Sequence, residues 1–99
     1  MELIPYEGQL IIPEGYKTKP SEFISRNDII NLTLKENAVL AKGTFSFKKN
    51  LRTLVINAGV RICEQAFSAC INLNSVVIHP AVTIDESAFM NCSSLTSVV

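Results

Sequence analysis

The sequence predicts a repeat solenoid in which short parallel strands stack into a continuous sheet. The first observation is a phenylalanine every 22 residues, at Phe23, Phe45, Phe67 and Phe89. The second is that several aliphatic columns keep the same step, and the third is that apolar and polar residues alternate within each unit. A fixed period of 20–50 residues is typical of stacked repeats, and alternation is typical of a strand with one buried face.

Composition agrees with one apolar core shared by all units. The chain has 99 residues, of which 47% are apolar, and its formal net charge is zero. This composition favours folding over disorder. No apolar run approaches the length of a membrane span, so we expect no membrane insertion.

The unit 67–88 shows how each element is predicted. Val76 and Ile78 alternate with polar or outward positions and indicate a short strand, which Pro80 ends because proline cannot donate to a ladder. The next alternating pair, Val82 and Ile84, predicts a second short extended piece. The segment 85–89 then predicts a single helical or 3₁₀ turn with its phenylalanine pointing inward. Because every unit runs in the same direction, the strands must be parallel.

The last two units resemble a known repeat class. The stretches Ala66-Phe67-x-x-Cys70-x-x-Leu73-x-Ser75-Val76 and Ala88-Phe89-x-x-Cys92-x-x-Leu95-x-Ser97-Val98 match the AF-xx-C-xx-L-x-S-[VI] signature of the BspA-type leucine-rich repeats. The resemblance covers residues 21–99. It implies a leucine-rich-repeat solenoid of about four 22-residue coils, with a parallel β-sheet on the concave face. It also implies a role in protein–protein contact, often adhesion at a cell surface, and no catalytic residues.

Two regions depart from the repeat pattern. Lys48 stands where later units have Cys70 and Cys92, and we expect Phe47 to fill that volume instead. Residues 1–20 keep only part of the register and are interpreted as an atypical N-terminal cap, which terminal units of repeat arrays need. Residues 21–99 form the repeats, and no polar closing unit follows them.

The three cysteines are an odd number, and none of their spacings resembles a zinc site. Cys70 and Cys92 occupy the same position in successive units and are expected to be small buried apolar groups. A reduced state is the expectation. A bridge between these two remains an alternative, although parallel side-chain directions make its geometry awkward.

A binding surface is expected on the outward face of the main sheet. One ladder of outward residues is polar, a central one is unusually apolar, and a third is polar or basic. An apolar strip with polar rims suits a protein partner, whereas β-propensity on an open sheet would explain the valines equally well. The candidate partner-binding residues are Thr33, Arg52, Thr53, Val55, Asn57, Ser75, Val77 and His79.

The alternative hypothesis is a polyanion or nucleic-acid binder. Residues 42–61 contain five basic residues and no acid, whereas residues 62–99 contain three acids and no Lys or Arg. The zero net charge and the lack of an aromatic beside those bases make nucleic acid the weaker interpretation. No catalytic, phosphate-binding or metal motif is present, so neither an enzyme nor a cofactor is expected.

Compartment and assembly depend on what surrounds this sequence. A complete chain without a secretory signal would be cytoplasmic and a small free-standing binder. A fragment of a longer family member would instead come from a surface or adhesion protein. Since the repeats run to Val99 without a cap, the last coil could also self-associate.

Overall fold

Two parallel sheets run along the solenoid. The structure is a computed structural model, which describes residues 8–95 and the backbone of 97–98. The larger sheet (sheet A) has the order β1-β2-β4-β6-β8, and the smaller (sheet B) has the order β3-β5-β7. Sheet A contains β1 (Gln9–Ile12), β2 (Asn31–Leu34), β4 (Thr53–Ile56), β6 (Ser75–Ile78) and β8 (Ser97–Val98); sheet B contains β3 (Val39–Leu40), β5 (Arg61–Ile62) and β7 (Thr83–Ile84).

The strand register follows the 22-residue step throughout. Gln9 pairs with Asn31, Asn31 with Thr53 and Thr53 with Ser75, all in parallel strands. The steps define coil 1 (9–30), coil 2 (31–52), coil 3 (53–74) and coil 4 (from 75). The predicted parallel leucine-rich-repeat solenoid is therefore confirmed. Residues 1–7 of the expected cap and Val99 of the expected open end lie outside the described residues.

The segments after sheet B are turns, and the expectation of a helical or 3₁₀ turn over 85–89 is wrong. Local bonds occur only at alternate residues, from Ala88 N to Asp85 O (3.0 Å) and from Met90 N to Ser87 O (3.2 Å). In coil 3 the intervening amides donate to the next coil instead, as Phe67 N does to Ala88 O (2.9 Å). A helix needs every amide for its own local ladder, so the contacts between coils exclude it here.

A second periodic feature is a column of left-handed residues at the turn before sheet B. Its members are Gly15, Asn37, Gly59 and Ala81, whose φ angles are 68°, 62°, 76° and 64°. These residues are 22 apart, and each bonds or stacks against its neighbour; Asn37 N, for example, donates to Ala58 O (3.0 Å). Glycine and asparagine adopt this backbone region most readily. The column fixes the same corner in every coil.

The core contains one phenylalanine per coil, as the sequence predicts. Adjacent rings are stacked with centroids 5.0, 5.6 and 5.4 Å apart from Phe23 to Phe89. Phe23, Phe45 and Phe67 are buried, whereas Phe89 is partly buried. The same trend appears in sheet B, where Leu40 and Ile62 are buried and Ile84 is 37% exposed. Coil 4 is therefore less covered than coils 1–3.

Lys48 is buried, and the expectation that Phe47 would fill its place is wrong. Only 3% of Lys48 is exposed, against 72% of Phe47. The Lys48 ammonium donates to the carbonyl oxygens of Phe23 and Ile24. Cys70 and Cys92 occupy the equivalent positions, and their thiols donate to Phe45 O (3.2 Å) and Phe67 O (3.1 Å). A long side chain and a short one thus satisfy the same backbone acceptor of the preceding coil.

Candidate protein-binding face

The outer face of sheet A contains a continuous central ladder of mainly apolar side chains. Thr33, Val55 and Val77 are aligned as Cα partners on three neighbouring strands. Each is partly exposed, while the residues before and after it in Thr33 and Val55's strands are buried. Strand alternation places these side chains on the solvent side. The geometry brings together three of the sequence-predicted site residues.

Polar residues line both sides of this ladder. On one side lie Thr53 and Ser75, and the Thr53 hydroxyl donates to Asn31 Oδ1. On the other side Asn57 donates from Nδ2 to Leu34 O (2.9 Å), and His79 beyond it is exposed. Thr53 and Asn57 therefore stabilise contacts between coils. They offer a partner only their remaining hydrogen-bonding capacity, mainly the Asn57 carbonyl oxygen.

Two apolar residues extend the face beyond the predicted set. Ile11 continues the central ladder onto β1, where it pairs with Thr33 and is 52% exposed. Ile30 lies one 22-residue step before Arg52 and is also exposed. The 22-residue step alone would have placed both side chains on this surface. Their omission came from treating coil 1 as too divergent to contribute.

The basic segment 42–61 is distributed over several surfaces. Lys48 is inside, and burial lowers the pKa of its amino group. Lys42 pairs with Glu64 of the next coil at 3.7 Å. Arg61 lies on sheet B, and only Arg52 borders the outer face of sheet A. Dispersed charges of this kind do not form the single basic patch that nucleic-acid binding requires.

Comparison with known families agrees with the repeat geometry. The family model for the BspA type leucine rich repeat region (6 copies) matches residues 8–98. The chain belongs to the BspA-type leucine-rich repeat family. No curated protein and no solved structure is significantly similar to it. Leucine-rich repeats commonly mediate protein–protein interaction.

The chemistry of this BspA-type repeat protein is that of a binding scaffold, and its fold is typically non-enzymatic. All three cysteines are free. Burial raises the pKa of the Cys70 thiol to about 12, so this thiol stays protonated and is a poor nucleophile at neutral pH. Among residues 8–95, no three His, Cys, Asp or Glu side chains are grouped closely enough to hold a metal ion. The part of the chain that the structure describes has no helix that could cross a bilayer.

One cleft of about 510 Å³ lies beside sheet B, away from the candidate face. Lys42 and Arg61 line it together with Glu64 and Asp85, and the partly exposed Cys63 is near its floor. The two positive and two negative side chains balance, so the cleft favours neither anions nor cations. It adds no second site to the outer face of sheet A.

Proposed function

We propose that this chain binds a protein partner through the outer face of sheet A. The single observation that carries the proposal is the apolar ladder on neighbouring strands, flanked by polar residues on both sides. The proposed contact residues are Thr33, Arg52, Thr53, Val55, Asn57, Ser75, Val77 and His79, with Ile11 and Ile30 added.

The composition of this face matches what protein interfaces need. An interface has an apolar centre, which supplies burial energy, and a polar rim that stays partly hydrated. Val55 and Val77 supply the centre, and Arg52 is a residue type enriched in binding hot spots. Because the coils are held by backbone ladders on both sheets, the face is rigid before binding, which lowers the entropic cost of association.

The test uses a photo-cross-linking amino acid placed at position 55 or, as a control, at the exposed Thr83 of sheet B. Each protein is irradiated in lysate from source cells, with and without excess unlabelled wild-type protein. We expect a discrete adduct at position 55 that wild-type protein competes away, and that Val55→Asp with Val77→Asp does not. These valines are only partly buried, so circular dichroism should show that the double variant folds.

Salt dependence separates this function from polyanion binding. Contacts between apolar groups persist at high salt, whereas a polyanion is released steeply as salt rises. A single-stranded oligonucleotide and heparin serve as probes for the second case. Salt-sensitive binding of either probe, retained in the double valine variant and lost in Lys49→Glu, would contradict the proposal.

A further inference from the structure

The turn segments carry a second exposed apolar surface on the side away from sheet A. Among the described residues, seven large hydrophobic side chains are exposed, and four of them lie in the turn segments, one on each coil. These four are Ile24 (73% exposed), Phe47 (72%), Ile71 (48%) and Met90 (48%). We call the outward side of the turn segments, from Ile24 to Met90, the turn face. Its apolar content exceeds that of the proposed binding face.

Phe47 is the side chain on this face that internal packing least explains. Its φ of 61° lies in the left-handed region, which a bulky residue rarely adopts. The equivalent positions of coils 3 and 4 are Ala69 (φ 58°) and Asn91 (φ 63°), which are small or polar. An exposed aromatic ring on a strained backbone is disfavoured in an isolated monomer. Contact with another surface would offset that cost.

We propose that the turn face pairs with the turn face of a second copy of this chain. The pairing has a two-fold axis between coils 2 and 3 and reverses the direction of the second solenoid. Coil 1 then faces coil 4 of the second copy, and coil 2 faces coil 3. This register covers all four coils, and two-fold pairing is the commonest way in which identical chains associate.

Side-chain size supports this register. Backbone bonds from Phe47 N to Ser68 O (2.8 Å) and from Ala69 N to Met90 O (2.7 Å) fix the columns of the turn face. Reversal places the large Phe47 opposite the small Ala69 of the second copy. Ile24 is then opposite Met90 of the second copy, which joins two apolar residues. Large side chains thus meet small or apolar ones, as complementary packing requires.

Charge supports the same orientation and disfavours the other one. The exposed Lys42 and Glu64 are in one column at the edge of the turn face, and they already pair within a chain at 3.7 Å. Reversal brings Lys42 to Glu64 of the second copy twice, making a network of four charges. A two-fold axis that kept the solenoids parallel would bring Lys42 towards Lys49 of the second copy. Like charges brought together disfavour a partner or register.

The association should be weak and reversible. A face four coils wide belongs with small interfaces, below about 1,200 Å² of total buried area. We therefore expect concentration-dependent dimers that do not occlude the outer face of sheet A. Because the turn face and sheet A lie on different sides of each coil, a dimer would present two binding faces to partners.

Sedimentation velocity across a micromolar to millimolar series measures the dimer. We expect Phe47→Asn to weaken dimerisation about tenfold or more without lowering the melting temperature, because asparagine accepts the left-handed backbone. Ile84→Asp at the less covered end of coil 4 is the matched control and should dimerise as wild type does. A wild-type protein that stays monomeric throughout the series would overturn the proposal, as would dimers lost only in Ile84→Asp.

Charge exchange provides a test that loss of folding cannot imitate. Lys42→Glu and Glu64→Lys should each weaken the homodimer, because each sets like charges opposite each other. An equimolar mixture of the two should form a heterodimer, since every charge then meets its opposite. Lys35→Glu, which changes a residue after β2 by the same charge, should not pair with Glu64→Lys in this way. No recovery in the first mixture, or equal recovery in the second, would contradict the proposed register.

Discussion

At the scale of single residues, Lys48 shows how a cation can replace a thiol inside a repeat column. Its methylene chain crosses the core, and its ammonium ends on the carbonyl oxygens of Phe23 and Ile24. A buried charge is costly unless it is hydrogen-bonded, and these two acceptors supply that compensation. Cys70 and Cys92 reach the matching carbonyls in the next coils with a much shorter side chain.

Substitution of Lys48 should therefore depend on whether the new side chain can still donate. Lys48→Ala leaves the Phe23 and Ile24 carbonyls without their charged donor and should destabilise the protein by about 2–3 kcal/mol. Lys48→Cys should lose less, because a thiol at this position has the geometry of Cys70. Urea unfolding measures both, with exposed Lys49→Ala as a control expected within about 0.5 kcal/mol of wild type. Equal losses for alanine and cysteine would show that the hydrogen bond is unimportant.

The contrast between Lys48 and Phe47 marks a limit of sequence reasoning at this scale. Residue hydrophobicity suggested that the ring would be inside and the ammonium outside, and the structure has the reverse. The 22-residue step aligns Phe47 with Ala69 and Asn91, two positions that need no core side chain. Register was therefore the better guide than hydrophobicity. The acceptors that make Lys48 tolerable belong to another coil, so no local pattern could reveal them.

At the scale of elements, the left-handed corner before sheet B sets where each coil bends. Gly59 has a φ of 76°, and a methyl group added there would lie 2.2 Å from Asn37 Oδ1 of the preceding coil. Gly15 has a similar φ of 68° but open space around it. The same backbone need thus meets two different surroundings, which separates strain from steric conflict.

Alanine at these two glycines should therefore have different costs. Gly15→Ala carries only the left-handed penalty, about 1 kcal/mol, whereas Gly59→Ala should cost clearly more. Adding Asn37→Gly to Gly59→Ala removes the conflicting side chain and should reduce the loss to that of Gly15→Ala. Thermal unfolding of the four proteins measures the coupling. Equal destabilisation by the two single alanines would contradict this explanation.

Strands were more predictable than turns in this chain. Alternation fixed β2, β4 and β6 because each has buried residues on one side and partly exposed ones on the other. The turn segments were interpreted as helical from a polar opening followed by a phenylalanine. Their true conformation depends on amides that donate to the next coil, as Phe45 N does to Ala66 O (2.8 Å). A contact of that kind is invisible to a reading of one unit alone.

At the scale of the whole molecule, stability should vary along the solenoid axis. Each coil contacts only its neighbours, so stability is close to a sum over coils and the interfaces between them. Phe67 is stacked between two rings, whereas Phe89 has a described ring on one side and is only partly buried. The less covered coil 4 should open first.

Alanine substitution and hydrogen exchange together test this gradient. Phe67→Ala should cost about 3–5 kcal/mol because it leaves a cavity in a closed core, and Phe89→Ala should cost less. Amide exchange should be slowest in β4 and faster in β7, since the latter is paired on one side only among the described strands. Uniform protection from β4 to β7 would indicate a single cooperative unit instead.

The candidate binding face was predictable to the extent that it follows from strand parity. The outward positions of Thr33, Val55 and Val77 follow from alternation and the repeat step, and the structure has them in one ladder. The exposure of Phe47 and Met90 on the opposite side was not anticipated, because the turn segments were interpreted only as core plugs. A partner's identity depends on the partner's own surface, which no property of this chain specifies.

The unbroken register of the two sheets has a consequence for length. Every strand pair, every left-handed corner and every ring stack uses the same 22-residue spacing. A single inserted residue would shift all later side chains to the wrong side of their strands. A whole inserted or deleted coil would leave each remaining neighbour facing an equivalent partner. Evolution and protein engineers can therefore change the size of this molecule only in steps of one complete coil.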